Sequence, residues 1–163
     1  MAMEQTQKLD ELVKTFDTAM LVTQSLHGDL RARPMAIAEY GGTGALYFVT
    51  RADDEKLEEV LQAPGVAVTM QHDGCHLSIS GKAKISTDKA LAGRLWSASM
   101  RLWFPGGVDD PEMTVIMVDP DWAEYWDRTG MRRMEFLWEA GKALLRGEKA
   151  RDDKLGGHAK VRL

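Results

Sequence analysis

The chain has 163 residues, 44% of them apolar and 28% charged, which is enough for one sizeable core in an ordinary globular domain. Its 21 basic and 25 acidic side chains leave a net charge of −4, so the basic face that a nucleic-acid-binding domain needs is missing. No apolar run is long enough for a membrane span, the first ten residues carry no signal segment, and the single Cys75 excludes an internal disulfide framework. The expectation is one cytoplasmic domain over 1–163 that contacts neither nucleic acid nor membrane.

In chain order, Leu9, Leu12, Val13 and Phe16 form one apolar stripe and predict a short helix over 6–18. A β-rich run over 19–23 leads through a turn at His27-Gly28-Asp29 to a second strand over 30–39. Pro34 lies inside that strand and cannot donate to a ladder, so the strand is at an edge or bent there. Gly41-Gly42-Thr43-Gly44 is a hairpin signal before a strand over 45–50. A helix over 53–62 follows, with Leu57, Val60 and Leu61 expected inward and Pro64-Gly65 as its stop. Strands over 66–71 and 75–86 are joined by a turn at Asp73-Gly74.

The segment 88–103 reads as one helix with two apolar stripes. Leu91, Leu95, Ala98 and Leu102 would cover the sheet, while Trp96, Met100 and Trp103 would face a second partner. A dimer is a natural partner, and burial on both sides within one chain explains the pattern equally well. Phe104-Pro105-Gly106-Gly107 breaks the helix before an acidic loop. Strands over 113–118 and 122–126, a helix over 134–147 and a charged tail ending Lys160-Val161-Arg162-Leu163 complete the reading. About six strands with peripheral helices predict an α+β barrel rather than a doubly wound parallel sheet.

Little of the sequence points directly to chemistry. His72, Cys75 and His76 straddle a turn and match no common zinc spacing, so no metal site is expected. Cys75 has no neighbour that would lower its thiol pKa. The pattern left over is Arg33 on one strand, Thr50 at the end of another and Lys56 six residues later, in the first turn of a helix. Such a set would converge on a phosphate at the helix start. Spacing alone favours the plainer reading, a solvated Lys56 and an exposed Arg33.

A resemblance changes that balance. Arg33-Pro34-Met35, Leu46-Tyr47-Phe48-Val49-Thr50 with Lys56, and Ile79-Ser80-Gly81-Lys82-Ala83 resemble the pyridoxamine 5'-phosphate oxidase-like FMN-binding split barrels. Leu95-Trp96, Trp103-Phe104-Pro105-Gly106-Gly107 and Ala123-Glu124-Tyr125-Trp126-Asp127 are similar to its general stress protein 26 branch. The resemblance implies a six-stranded antiparallel split β-barrel and a homodimer with FMN at the subunit interface. It also implies that Arg33, Lys56 and Thr50 bind the phosphate and that Pro34, Met35 and Ala36 run along the flavin. Phe48 and Val49 would lie nearby, and Trp103 would approach the flavin from the other subunit or serve as a plain dimer-core aromatic.

In the oxidases a serine and an arginine precede the lysine; here Asp54 and Glu55 do, and the oxidases' Arg-Leu-x-Pro ending is absent. Pyridoxamine phosphate is therefore not expected as substrate. The leading expectation is a flavin-dependent oxidoreductase of the stress response, using a small-molecule electron donor and acceptor and no catalytic side chain of its own. The alternatives are a non-enzymatic flavin carrier or sensor, or the same barrel with FAD, F420 or haem. Haem would require His76 as axial ligand.

Overall fold

The computed structural model describes residues 2–128 and 158–163. Burial alternates along Thr18–Gln24 (β1), Leu46–Arg51 (β3), Gly65–His72 (β4) and Cys75–Ser86 (β5), as the period of two demands of half-buried strands. With Leu30–Tyr40 (β2) and Met113–Asp127 (β6) they form an antiparallel barrel in the order β3-β2-β1-β4-β5-β6, closed by β6 pairing with β3. Leu21, Phe48, Val68, Ile79, Ile116 and Val118 fill its interior. Ala2–Val13 (α1), Glu55–Gln62 (α2) and Lys89–Leu95 (α3) are the described α-helices, and His158–Arg162 (β7) pairs with the far half of β6. The α+β split barrel expected from the sequence is the observed fold. No helix among the described residues is long and apolar enough to cross a membrane. The helix expected over 134–147 lies outside the described residues.

The Leu9, Leu12, Val13 and Phe16 stripe is buried. Its helix stops at Val13, because the Thr15 hydroxyl donates to the Leu12 carbonyl at 2.7 Å, and Phe16 sits beyond the turn. Pro34 lies on an edge, as expected: residues 30–36 pair with β1 alone, and β3 joins β2 only from Ile37 onward. Leu61 is corrected. It is 73% exposed, because Lys56 and Glu59 share the inward face of α2 with Leu57 and Val60.

Two further expectations change. The strands over 113–118 and 122–126 are one strand, β6, with Asp121 as a bulge: Gly81 pairs with Pro120 while Ser80 pairs with Trp122. A Cβ on Gly81 would lie 2.1 Å from the Asp119 carbonyl oxygen, so glycine alone fits this crossing. The single helix over 88–103 is broken. Trp96 and Ser97 are extended, with ψ of 134° and 154°, and the chain resumes as a 3-10 turn over Ala98–Leu102. The Ser97 and Ser99 hydroxyls bond each other at 2.9 Å, and short polar side chains of this kind compete with helix. Only the first part of the covering stripe survives: Leu95 is buried, whereas Leu102 is 82% exposed. Of the second stripe, Trp96 and Met100 pack against a small core of Ala92, Phe104 and Met113. Trp103 stays exposed.

Candidate functional site

The site arises where two strands part. β3 pairs with β2 as far as Phe48, opposite Ile37, and then continues along β6 alone. Beyond that point lies a cavity of about 610 Å³, well within the size range of cofactor sites. Pro34, Met35, Ala36, Ile37 and Ala38 line it from β2, and Val49, Thr50 and Arg51 line it from the end of β3. Leu95, Ser97, Ser99, Met100, Trp103 and Phe104 complete the wall, with Asp54 at the polar end. The structure thus brings together Pro34, Met35, Ala36, Val49, Thr50 and Trp103, the last from the same chain. Phe48 is fully buried in the barrel core, and neither Arg33 nor Lys56 lines the cavity.

Asp54 is the reason Lys56 does not reach the cavity. It caps α2, its carboxylate accepting the Lys56 backbone N–H at 3.1 Å. The same carboxylate also accepts the Lys56 ammonium and, at 3.3 Å, the Thr50 hydroxyl. Lys56 Nζ, 5% exposed as a residue, donates its other described bond to Thr50 Oγ1 at 2.9 Å. Partial burial works against the Asp54 charge, yet the hydrogen bonds and charge of Lys56 outweigh it and hold the carboxyl below its ordinary value. A helix N-terminus, a hydroxyl and an ammonium are the donors a phosphate would use. Here a side chain of the protein already takes them.

Arg33 is similarly committed. The buried Glu59 carboxylate receives both arms of its guanidinium, at 2.9 and 3.1 Å, and Arg33 also donates to Thr23 Oγ1 at 2.8 Å. Hydrogen bonding to Arg33 holds Glu59 below its ordinary value, with Thr23 assisting against the effect of burial. Arg31 bridges Glu55 and Glu59, and Arg51 pairs with Asp53 and Glu112. Four cations therefore face five carboxylates around the start of α2, leaving an excess negative charge. Two like unit charges 4 Å apart repel by about 4 kcal/mol at an effective dielectric of 20. The apolar walls suit a flat ring system; the polar end does not suit a phosphate.

Arg51 and Asp54 are the only ionisable side chains on the cavity wall among the described residues, and both are ion-paired. Cys75 points into the barrel, and burial pushes its thiol up, away from a reactive thiolate. Its neighbour His76 is exposed on the opposite face of β5 and does not line the cavity, which leaves haem without that axial ligand. Among the described residues no three His, Cys, Asp or Glu side chains form a metal-binding group.

Sequence reasoning set Asp54 where the oxidases carry a residue of their phosphate clamp but missed its capping role. That role carried a readable signal, since an Asp just before an amphipathic run is a helix cap. Asp110 and Glu59 were missed altogether. Asp110 carried a readable signal too: Asp-Pro starts an Asx turn, and its carboxylate accepts the backbone N–H groups of Glu112 at 3.0 Å and Gly106 at 2.9 Å. That carboxylate closes the loop that follows Trp103 and Phe104. Glu59 gave no signal, because its acidic side chain reads as a solvated helix face.

Comparison with known proteins agrees with this fold. The family described as pyridoxamine 5'-phosphate oxidase like matches residues 4–152. General stress protein 26 of Bacillus subtilis (strain 168) is 28% identical over 81 residues, which are 47% of this chain. The chain spans 57% of the length of that relative. A structure from Jannaschia sp. CCS1, described as a candidate general stress protein 26, is 25% identical with a TM-score of 0.74. That match covers 98% of this chain and 99% of the other. The general stress FMN/FAD binding protein of Xanthomonas citri is 29% identical with a TM-score of 0.62, over 70% of this chain and 82% of its own.

Proposed function

Because the chain belongs to the pyridoxamine 5'-phosphate oxidase-like family, we propose that the cavity between β2, β3 and the 3-10 turn binds the ring system of a flavin. The protein would then be a flavin-dependent oxidoreductase of the general stress protein 26 kind. The observation that carries this reading is the cavity itself, opened where β2 and β3 part and lined by Pro34, Met35, Ala36, Val49 and Trp103. The FMN/FAD binding described for the Xanthomonas citri protein supports it.

When bound, the flavin supplies hydride and electron transfer between a small-molecule donor and an acceptor. The chain's own residues hold and enclose it. The β2 edge at Pro34–Ala36, which pairs with β1 on one side only, offers backbone groups along the ring. Leu95, Met100 and Phe104 exclude water, and Trp103 offers an aromatic face. Leu102 and Trp103 are adjacent and exposed, by 82% and 61%, and a second copy of the chain would cover them and complete the cavity.

The absence of an unpaired ionisable group on the described cavity wall assigns no side chain a proton-transfer role, and it keeps a second reading, a flavin carrier without turnover, in play. Gel filtration of the protein mixed with excess flavin, followed by NADPH oxidation with a quinone or nitro acceptor, separates the cases. Co-eluting flavin with turnover supports the oxidoreductase, co-eluting flavin alone supports the carrier, and flavin left in the small-molecule fraction overturns both.

A further inference from the structure

We propose that Asp54 is a specificity-determining residue: it fills the anion position of the cavity and makes the site favour a flavin whose side chain ends in a hydroxyl over one that ends in a phosphate. The inference rests on the flavin reading above and specifies the ligand for that same site.

Three observations support it. Asp54 lines the cavity while Lys56, directly behind it, does not, so an entering ligand meets the carboxylate before the ammonium. Three donors at that end are already engaged: Thr50 Oγ1, Lys56 N and Lys56 Nζ all point at the Asp54 carboxylate. Arg33 cannot replace Lys56 without giving up its two-armed pair with the buried Glu59, nor Arg51 without giving up Asp53 and Glu112. A phosphate would therefore have to expel Asp54 from its cap and then lie beside it. A terminal hydroxyl, by contrast, donates a hydrogen bond to the carboxylate where it stands.

Asp54 also stays charged well into acid, because Lys56 holds its carboxyl below the ordinary value, so the preference persists across the neutral range. Asparagine is nearly isosteric and, like serine, a good helix cap. Either substitution removes the charge, keeps α2 capped and leaves Lys56 and Thr50 free to meet a phosphate.

The test is fluorescence titration of riboflavin, FMN and FAD against the wild-type protein, Asp54→Asn and Asp54→Ser. The expected result is a wild-type protein that binds riboflavin at least as tightly as FMN or FAD. In both variants the FMN-to-riboflavin affinity ratio should rise at least about tenfold, equivalent to 1.4 kcal/mol. Adding Lys56→Ala to Asp54→Asn should abolish that gain. A wild-type preference for FMN or FAD of tenfold or more, or an unchanged ratio in both variants, overturns the role of Asp54 while leaving flavin binding intact. Failure of every flavin to bind all three proteins overturns the flavin reading itself, and this inference with it.

Discussion

Glu59 holds Arg33 by both arms of the guanidinium, at 2.9 and 3.1 Å, from a position only 3% exposed on α2. This pair ties the first helix after β3 to the β2 edge strand, on the side where β2 has no further strand partner. The edge is consequently fixed in place beside the cavity.

Removing that tie should be costly. Glu59→Ala leaves Arg33 and Thr23 without their shared acceptor, and losing the charged hydrogen bonds of this part-buried ion pair costs about 2 kcal/mol. Chemical denaturation should show a lower midpoint at unchanged slope, while Glu58→Ala, one residue earlier on an exposed position, should shift it by less than about 0.5 kcal/mol.

The same carboxylates set a pH dependence. Asp54 and Glu59 both titrate below their ordinary values of 3.8 and 4.5 in the folded protein. The unfolded chain therefore binds more protons in that range, and stability rises with pH through it. The contribution is complete above about pH 5 and is lost as pH falls through the folded values. Thermal melts from pH 7 to pH 3 should show a steep loss below pH 4.5, and Glu59→Gln should flatten it. A flat wild-type profile over that window would contradict the assignment.

Gly81 should tolerate no side chain. An alanine Cβ would stand 2.1 Å from the Asp119 carbonyl oxygen and 2.9 Å from Pro120 Cα, both backbone atoms that cannot swing aside. Gly81→Ala is expected to destabilise the barrel by about 3 kcal/mol, lowering the melting temperature by roughly 6–12 °C. Calorimetry reads this directly, and a shift of less than about 2 °C would mean that the bulge absorbs the methyl group.

Trp103 should matter for the ligand and not for the fold. At 61% exposure it contributes little to the core, yet it lines the cavity. Trp103→Ala should leave the melting temperature within about 2 °C and weaken flavin binding about tenfold, the scale of one aromatic stacking contact.

Much of the barrel was legible because strands announce themselves locally. The alternation in β5 and the Asp73-Gly74 turn, with φ of 40° and 84°, need no distant contact to be recognised. The 88–103 segment misled because its apolar spacing suits a helix while Ser97 and Ser99 bond each other and break it. Leu61 misled for a different reason: an ion pair, invisible to hydrophobic periodicity, turned Glu59 inward in its place. For the site, the strand residues Pro34–Ala36, Val49 and Thr50 were identifiable from the family resemblance. That Lys56 and Arg33 are both occupied by carboxylates depends on side-chain geometry, which spacing does not encode.

The most direct test of the central claim places a bulky side chain in the cavity. Ala36 is exposed on the β2 edge and lines the cavity, so Ala36→Trp can fold normally while filling the space where the ring would lie. Riboflavin and FMN titrations, followed by flavin fluorescence and paired with thermal melts, should show saturable binding to the wild-type protein. Ala36→Trp should melt at the same temperature and bind no flavin. Equal binding by both proteins would place the flavin elsewhere and contradict the account.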